Sequence, residues 1–449
     1  MVELNETHDP ARRSWVPSAN EADCDFPIQN LPFGVFRRIG STRARGGVAI
    51  GDQIFDLSVG LTAGLFSGEA AAAAQAACGE TLNALLAMEP GTPAALRARL
   101  SELLRIGGPD SNEARAIGAT LLVPLDAVQL ELPVAIGGYT DFSCSYTHMG
   151  GMRGGQPVTA FFHLPIAYNG RASSVRASGT PVQRPWGQWA ATPPDQDVRF
   201  GPEPRLDFEL EFGAFVGRGN PLGVPLTVDE ATGRIFGYCL LNDWSARGMQ
   251  FFESVLGPFL GKSFLTTISP WIVTAEALAP FRVPPPERDK SVPATPAHLD
   301  GRENRRTGGL EIELTAYLQT ASMRSRSEAP VRIVRTNFKH MYWTLAQMLA
   351  HHTSNGCNMQ AGDLFASGTS SGPEPDAKAC LAEINQHGTR PLELPGGEKR
   401  LWLEDGDRLQ IRGRAERAGF VPIGFGACEG VVVAPAPWPE DSAVSLGSR

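Results

Sequence analysis

The chain has 449 residues, of which 42% are hydrophobic and 20% charged, and its formal net charge is −8. At about 150 residues per domain, this length predicts two or three domains. The negative charge and the lack of a dense Lys/Arg run exclude nucleic acid as a partner, and no run of about 18 apolar residues is available to span a membrane.

The first part of the chain predicts a polar arm followed by a small, β-rich module. Residues 1–25 are polar, whereas residues 26–132 contain short apolar runs separated by Gly and Pro. Apolar residues on both sides of a Gly-Asp turn predict a β-hairpin at 48–57. Two alanine-rich segments, 67–87 and 92–105, have helical spacing. Because this module has no clustered carboxylates, we expect it to pack or assemble without chemistry of its own.

Residues 133–449 predict a larger domain, so that the expected fold class is mostly β (α+β). An apolar stripe at i, i+3, i+4 and i+7 predicts one helix over 338–352. The proline-rich stretch 282–297 predicts a surface loop. Alternating apolar residues predict strands at 206–216, 234–241, 310–319 and 408–413.

The cysteines and the N-terminus indicate a cytoplasmic protein. The seven cysteines are scattered and include no Cys-X-X-Cys pair, which argues against a zinc site and against a disulfide framework. Reduced thiols are typical of the cytosol. The first residues are polar and lack the apolar segment of a secretory signal peptide.

Four carboxylates form the first candidate site. Glu209 and Glu211, in LDFELEFGAFVG, alternate with apolar residues and would share one face of a strand. From this spacing alone, a solvated strand face and a cation site both remain open. Asp243 ends an apolar run, and Asp141 lies in YTDFSCSYTH. Without Cys or His at ligand spacing, these acids would suit a hard ion, Mg²⁺ or Ca²⁺.

His148 and Lys262 are further candidates. His148 follows Asp141 in a glycine-rich context, where a structural and a catalytic role both remain open. Lys262 lies in the apolar LGPFLGKSFLTT. A buried Lys would need an anion or carbonyl nearby, and the alternative is a side chain that snorkels to solvent. The glycine-rich loop 366–375 could offer backbone N–H groups to a carboxylate, although it matches no phosphate-binding spacing.

Long strings in order along residues 25–430 resemble the fumarylacetoacetase family. They include DFPIQNLPFGVF, GRASSVRASGTPVQRPWGQ, LDFELEFGAFVG, NDWSARGMQ, LGPFLGKSF and GDLFASGTSSGPEP. The resemblance implies a polar arm (1–25), a small SH3-like N-terminal barrel (26–132) and a fumarylacetoacetase-type β-roll catalytic domain (133–449). It also implies assembly as a homodimer.

The resemblance implies roles for individual positions. The position of the catalytic base is held by His148, and that of the acid that orients it by Glu383. The positions that stabilise the developing oxyanion and the substrate carboxylates are Lys262, Arg247 and Gln250. The positions of the divalent-metal site are Asp141, Glu209, Glu211 and Asp243, with Lys262 and Thr266 as further residues. The substrate-contacting positions are Tyr168, Arg153, Ser143, Thr369 and Gly368.

Three departures from the family pattern cluster at the expected pocket. Ser143 stands where the family has a Tyr, and Asn169 stands where it has a His. The stretch between His148 and His163 is shorter than in the family, and the family's substrate-binding arginine of that region is assigned to Arg153. The metal-ligand positions are unchanged.

The resemblance implies metal-dependent hydrolysis of a C–C bond in a β-diketone acid, with fumarylacetoacetate as the expected substrate and fumarate and acetoacetate as products. A cation that neutralises the enolate oxygens of a 1,3-dicarbonyl makes such a carbon leaving group accessible. One alternative is a family member that acts on another β-dicarbonyl in a specialised pathway. The other is a non-catalytic binding protein on the same fold, against which the intact ligand and base positions argue.

Overall fold

The computed structural model describes residues 3–152, 154–190 and 197–439, and the expected strand-rich α+β fold is confirmed. The strands in this part of the chain are β1 (Phe33–Arg38), β2 (Arg45–Ile50), β3 (Gln53–Asp56), β4 (Leu122–Pro124), β5 (Val128–Glu131), β6 (Tyr139–Ser143), β7 (Ile166–Asn169), β8 (Val175–Ala177), β9 (Val182–Gln183), β10 (Trp186–Ala190), β11 (Val198–Pro202), β12 (Leu206–Asp207), β13 (Leu210–Val216), β14 (Ile235–Asp243), β15 (Ser245–Ala246), β16 (Thr266–Ile268), β17 (Trp271–Thr274), β18 (Arg282–Val283), β19 (Gly309–Leu310), β20 (Ile312–Gln319), β21 (Val331–Asn337), β22 (Leu364–Ala366), β23 (Leu392–Glu393), β24 (Lys399–Arg400), β25 (Arg408–Ala415) and β26 (Ile423–Val433). The α-helices are α1 (Leu57–Thr62), α2 (Gly68–Ala77), α3 (Asn83–Leu86), α4 (Gly91–Leu104), α5 (Ser111–Ala116), α6 (Gly118–Leu121), α7 (Tyr146–Gly151), α8 (Val228–Thr232), α9 (Arg247–Glu253), α10 (Leu260–Ser263), α11 (Arg302–Thr307), α12 (Ala321–Ser325), α13 (Leu345–Thr353) and α14 (Leu381–Ile384).

One large sheet connects the N-terminal strands to the rest of the molecule, in the order β4-β3-β2-β1-β17-β14-β13-β22-β6-β7. Strand β1 pairs antiparallel with both β2 and β17, so strands from the two parts of the chain share one hydrogen-bond ladder. The hairpin predicted at 48–57 is confirmed by β2 and β3. The domain boundary near residue 132 stays a prediction.

The strand order around β22 positions the candidate site. β22 lies between β13 and β6, antiparallel to the first and parallel to the second. Ala366 of β22 is in register with Gly213 on one side and with Asp141 on the other. β14 pairs with the opposite edge of β13. The strands that carry or directly follow the four candidate acids (β6, β13 and β14) therefore lie in one part of the sheet, with β22 between β13 and β6.

A second sheet, in the order β21-β20-β25-β26-β9, covers one face of the first. Phe212 on β13 and Phe425 on β26 pack edge to face, with ring centroids 5.2 Å apart. They belong to one buried cluster with Leu314 and Ile411. Because side chains alternate along a strand, packing the even-numbered residues of β13 between the sheets leaves Glu211 on the other face.

Several predicted elements begin, end or divide differently from the prediction. The helical segment 67–87 is divided into α2 and α3, and the strand 310–319 into β19 and β20. The prediction of one helix over 338–352 was wrong for the first half of this range, where Phe338–His340 form a 3₁₀ turn. The α-helix starts only after Thr344, because Thr344 and Gln347 form a capping box. The strand predicted over 206–216 is interrupted between β12 and β13.

The structure also shows the state of the cysteines and the lengths of the helices. All seven cysteines lie in the described part of the chain and none forms a disulfide. No helix among the described residues is both long enough and apolar enough to cross a membrane.

Candidate metal centre and active site

Four buried carboxylates converge at one end of the paired strands. Asp141 comes from β6, Asp243 ends β14, Glu211 lies on β13, and Glu209 immediately precedes that strand. Each offers an oxygen, and these oxygens lie within 4.8 Å of one another. Glu209 is only 5% exposed and Glu211 is completely buried. The solvated strand face that the sequence left open is therefore ruled out.

The charges of these acids are only partly balanced by the chain. Burial, and then the neighbouring acids, raise the pKa values of Asp141 and Glu211 well above their usual range. Burial also acts to raise the pKa of Glu209, but Lys262 and Arg247 outweigh it and lower that pKa. One oxygen of Asp141 and both of Glu211 are buried without a hydrogen-bond partner among the described residues. Partnerless carboxylate oxygens of this kind fit a divalent metal ion.

Lys262 and Thr266, predicted as further residues of the ion site, contact these acids. The Nζ of Lys262 donates to Glu209 Oε2 and to Asp243 Oδ2, at 2.5 Å each. The hydroxyl of Thr266 lies 3.4 Å from Asp243 Oδ1, because β16 pairs with the end of β14. Lys262 is buried, so it does not snorkel to solvent. Its pKa is raised despite burial because Asp243 and Glu209 stabilise the charged form.

His148 and Glu383 form a hydrogen-bonded pair beside the carboxylates. The hydroxyl of Ser145 caps the first turn of α7, which carries His148. The Nδ1 of His148 lies 2.8 Å from Glu383 Oε2 on α14. The hydroxyl of Ser371 donates to the same oxygen at 2.6 Å. Burial would raise the pKa of Glu383, but His148 and these hydrogen bonds lower it. The carboxylate thus fixes the imidazole and leaves Nε2 as its remaining proton acceptor.

Arg247 is buried between two acids, one of which the sequence reasoning missed. Its Nη1 donates to Glu209 at 2.7 Å and to Gln250 at 3.1 Å, and its Nε donates to Asp207 at 2.9 Å. Glu203, also missed, accepts two backbone N–H groups of the first turn of α9. Asp207 lies two residues before Glu209, so alternation along a strand predicts the same face for both side chains. This signal could have pointed to Asp207.

A cavity of about 1110 Å³ opens beside the carboxylates and His148. The candidate residues that line it are Asp141, Ser143, His148, Tyr168, Glu209, Arg247, Gln250, Lys262, Gly368 and Thr369. Behind them are Glu211, Asp243, Thr266 and Glu383. Asn169 also lines the cavity, and Arg153 lies outside the described residues.

Two backbone and side-chain contacts shape the cavity near β6. Tyr168, on β7, donates its hydroxyl to Asp141 at 3.0 Å and to Asp243 at 2.7 Å. Gly368 has a φ of +76°, and a Cβ there would lie 2.2 Å from the carbonyl oxygen of Phe142. Only glycine therefore lets the loop after β22 approach β6 this closely.

Comparison with known families places the chain in one of them. Residues 29–133 match the family described as fumarylacetoacetase N-terminal, and residues 138–433 match fumarylacetoacetate (FAA) hydrolase C-terminal. The chain belongs to the fumarylacetoacetate hydrolase family, and the resemblance stated from the sequence is confirmed.

Within this family, the chain is similar to curated fumarylacetoacetases along nearly its whole length. The protein of Oryza sativa subsp. japonica is 44% identical, covering 92% of this chain and 95% of the relative. That of Bos taurus is 44% identical and that of Homo sapiens 41%, each covering 94% of this chain and 98% of the relative. Among solved structures, a fumarylacetoacetate hydrolase from Exiguobacterium antarcticum has a TM-score of 0.49 at 16% identity, covering 90% of this chain and 99% of that chain.

Proposed function

We propose that the protein hydrolyses fumarylacetoacetate to fumarate and acetoacetate. The observation that carries this proposal is that one cavity joins a four-carboxylate cluster to the His148–Glu383 pair. The near full-length similarity to fumarylacetoacetases of plants and mammals supports this substrate.

We propose that the metal is Mg²⁺ or Ca²⁺, held by Asp141, Glu209, Glu211 and Asp243. Hard cations of this kind prefer oxygen ligands, and the cluster offers carboxylates alone. When bound, the ion would supply positive charge opposite the two carbonyl oxygens of a 1,3-dicarbonyl. Lys262 neutralises part of the cluster, which limits the excess negative charge that a bound anion would meet.

His148 acts as the general base, with Glu383 holding its Nδ1 side. The imidazole removes a proton from water, and the resulting hydroxide attacks the carbonyl carbon on the fumaryl side. The C–C bond to the adjacent methylene then breaks. The electron pair leaves on the acetoacetate carbon, which takes up the proton from His148. Water is thereby divided between the two products, with OH on fumarate and H on acetoacetate.

The remaining cavity residues bind the substrate and stabilise the charge that develops. Arg247 and Lys262 offer positive charge and Gln250 an amide donor to the oxyanion and the substrate carboxylates, because donors held in place in a partly buried site act strongly on charge that develops there. The cavity residues that contact the substrate are Tyr168, Ser143, Gly368 and Thr369. Arg153, which lies outside the described residues, is proposed for the same role from the family resemblance alone.

We propose that the protein acts in the cytoplasm as a homodimer. Its unpaired cysteines suit a reducing compartment. The segment 251–260 beside the cavity is unusually exposed for its composition: Val255 is 91% exposed, Leu256 100% and Phe259 67%. Exposed apolar segments of this kind are typical of protein interfaces, and a second copy of the chain would cover this one.

Turnover by the purified protein tests the proposal. We expect fumarylacetoacetate to be consumed with one equivalent each of fumarate and acetoacetate, activity to disappear with excess chelator, and Mg²⁺ or Ca²⁺ to restore it. Turnover of a different β-diketone in its place would favour the alternative substrate. Metal binding without turnover of any β-diketone would favour a binding protein, and full activity in excess chelator would exclude a metal-dependent mechanism.

A further inference from the structure

Asp207 is a buried carboxylate that stands beside the four-acid cluster without belonging to it. Its Oδ1 accepts the backbone N–H of Leu381 at 2.7 Å, and its Oδ2 accepts that of Ala382 at 3.1 Å. It therefore caps the first turn of α14. The same Oδ2 accepts Nε of Arg247 at 2.9 Å and lies 2.8 Å from its Nη2. One carboxylate thus holds a short helix and a guanidinium from distant parts of the chain.

Each of the two groups that Asp207 holds is connected to a different part of the candidate site. Helix α14 carries Glu383, which orients His148. Arg247 lines the cavity and reaches Glu209 with its Nη1. Among the described residues, Asp207 is the side chain that hydrogen-bonds both to the α14 backbone and to this guanidinium.

We propose that Asp207 is a positioning residue of the active site, which sets Glu383 behind His148 and fixes the orientation of Arg247. A helix of four residues is too short to be stable by itself, so its cap determines where it lies. The planar guanidinium is held by a paired carboxylate in one orientation. The proposal rests on the proposed function, because it assigns Asp207 to the same reaction.

The variant Asp207→Asn tests this role. The amide keeps the shape of the side chain and one acceptor for the α14 cap. Its NH₂ group, however, faces the N–H donors that Asp207 accepts, and the negative charge of the carboxylate is lost. We expect kcat to fall about 10–100-fold, since small displacements of reacting groups have effects of this size. KM should change less than kcat, and calorimetric affinity for Mg²⁺ or Ca²⁺ should stay close to that of the wild type. Asp207→Ser, which also retains a cap acceptor, is the second variant if Asp207→Asn does not fold.

Asp56→Asn is the matched control. Asp56 is also fully buried, caps the first turn of a short helix through Ser58 and Val59, and pairs with an arginine, Arg45. It lies in the N-terminal part of the chain, away from the cavity. We expect it to lose stability comparable to that lost by Asp207→Asn, with kcat unchanged.

Coupling separates positioning from a general loss of stability. If Asp207 acts through Glu383 and Arg247, Asp207→Asn should lower kcat by a smaller factor in Glu383→Gln and in Arg247→Lys backgrounds than in the wild type. If Asp207→Asn lowers kcat in both backgrounds by the same factor as in the wild type, the proposal is overturned. Unchanged kcat in folded Asp207→Asn, or an equal loss in Asp56→Asn, would also overturn it.

A spectroscopic readout needs no substrate. The Nδ1 proton of His148, bound to Glu383, should give a downfield NMR signal in ¹⁵N-histidine-labelled protein, identified by its loss in Glu383→Gln. We expect Asp207→Asn to shift or broaden this signal and Asp56→Asn to leave it in place. If the wild type does not hydrolyse fumarylacetoacetate, the proposed function fails, while this signal still tests Asp207. An unmoved signal in Asp207→Asn overturns the positioning role.

Discussion

Charged side chains are buried both in the N-terminal part of the molecule and at the candidate site, but they are satisfied differently. In the N-terminal part, Asp56 caps α1 and pairs with Arg45. Arg97 donates to the carbonyl of Gln29 and to the hydroxyl of Thr7. Oδ2 of Asp56 accepts no hydrogen bond from the described residues, but it lies 3.3 Å from Nε of Arg45 and 3.9 Å from Nη2 of Arg38, so its charge is paired. These charges therefore find ion-pair or hydrogen-bond partners within the chain.

At the site, the pairing stops halfway. Glu209 is fully paired by Lys262 and Arg247, whereas Glu211 and Asp141 keep buried oxygens without a hydrogen-bond partner among the described residues. Leaving buried charge unpaired is costly, so these carboxylates either take up protons, as their raised pKa values indicate, or bind a cation that the polypeptide does not supply. The site is therefore distinguished by buried carboxylate oxygens that have no partner in the polypeptide, more than by the burial of charge as such.

Glu211→Gln has the largest expected effect and tests whether the partnerless oxygens of the site bind a metal ion. The amide removes one ligand charge, so metal binding and turnover should both be lost. In the wild type, Mg²⁺ or Ca²⁺ at about 1,000 times its Kd should stabilise the fold by about 4 kcal/mol, measured as a rise in Tm, and the variant should lack this rise.

The metal-free proteins provide the control for that variant. Glu211→Gln should be at least as stable as the metal-free wild type, because it removes an unpaired buried charge. Asp56→Asn should instead be about 1–3 kcal/mol less stable, because it disrupts a paired one. Equal losses in the two variants would contradict the distinction between the two regions.

His148→Ala sharpens the comparison at the proposed general base, which lies outside the four-acid cluster. We expect kcat to fall about 10²–10⁴-fold, with metal affinity unchanged. His8→Ala is the matched control, since His8 is buried in the N-terminal part and its Nε2 lies 2.9 Å from the carbonyl oxygen of Glu276. That variant should lose stability and keep kcat. Near-normal kcat in His148→Ala would reassign this histidine to a structural role.

Ser143→Tyr has the smallest expected effect. It tests whether uncharged polar groups of the cavity also lack good hydrogen-bond partners in the polypeptide. The Ser143 hydroxyl contacts Met149 Sδ at 2.9 Å, a weak acceptor. Tyr146 does not compensate for the missing family tyrosine, because its ring packs against Phe161 and Phe162.

A tyrosine at position 143 should raise kcat/KM for fumarylacetoacetate by an amount equivalent to about 1–3 kcal/mol at most. If the cavity is instead enlarged for another ketone, the ring should block that ketone while improving fumarylacetoacetate. Unchanged kinetics on every β-diketone tested would mean that this position does not contact substrate.

The sequence predicted the four clustered carboxylates better than it predicted the residues that hold the site in place. Strand alternation predicted the shared face of Glu209 and Glu211, and the end of an apolar run indicated Asp243, because both signals are local. Asp207 escaped prediction because its main-chain partners on α14 lie 174 and 175 residues away. The start of α13 differs for another reason: the apolar stripe continues through the 3₁₀ turn, whereas the capping box of Thr344 and Gln347 begins the α-helix only after it.

The position of β22 has a consequence for the order in which the protein can be made. By the time Asp243 leaves the ribosome, all four carboxylates have been synthesised, yet the strand that lies between β13 and β6 is still more than a hundred residues away. Until β22 arrives, Asp141 has no ladder joining it to the other three acids. A nascent chain released early would therefore contain all four candidate ligands without the strand that joins Asp141 to the others, and we expect cation binding to begin only after β22 has been made.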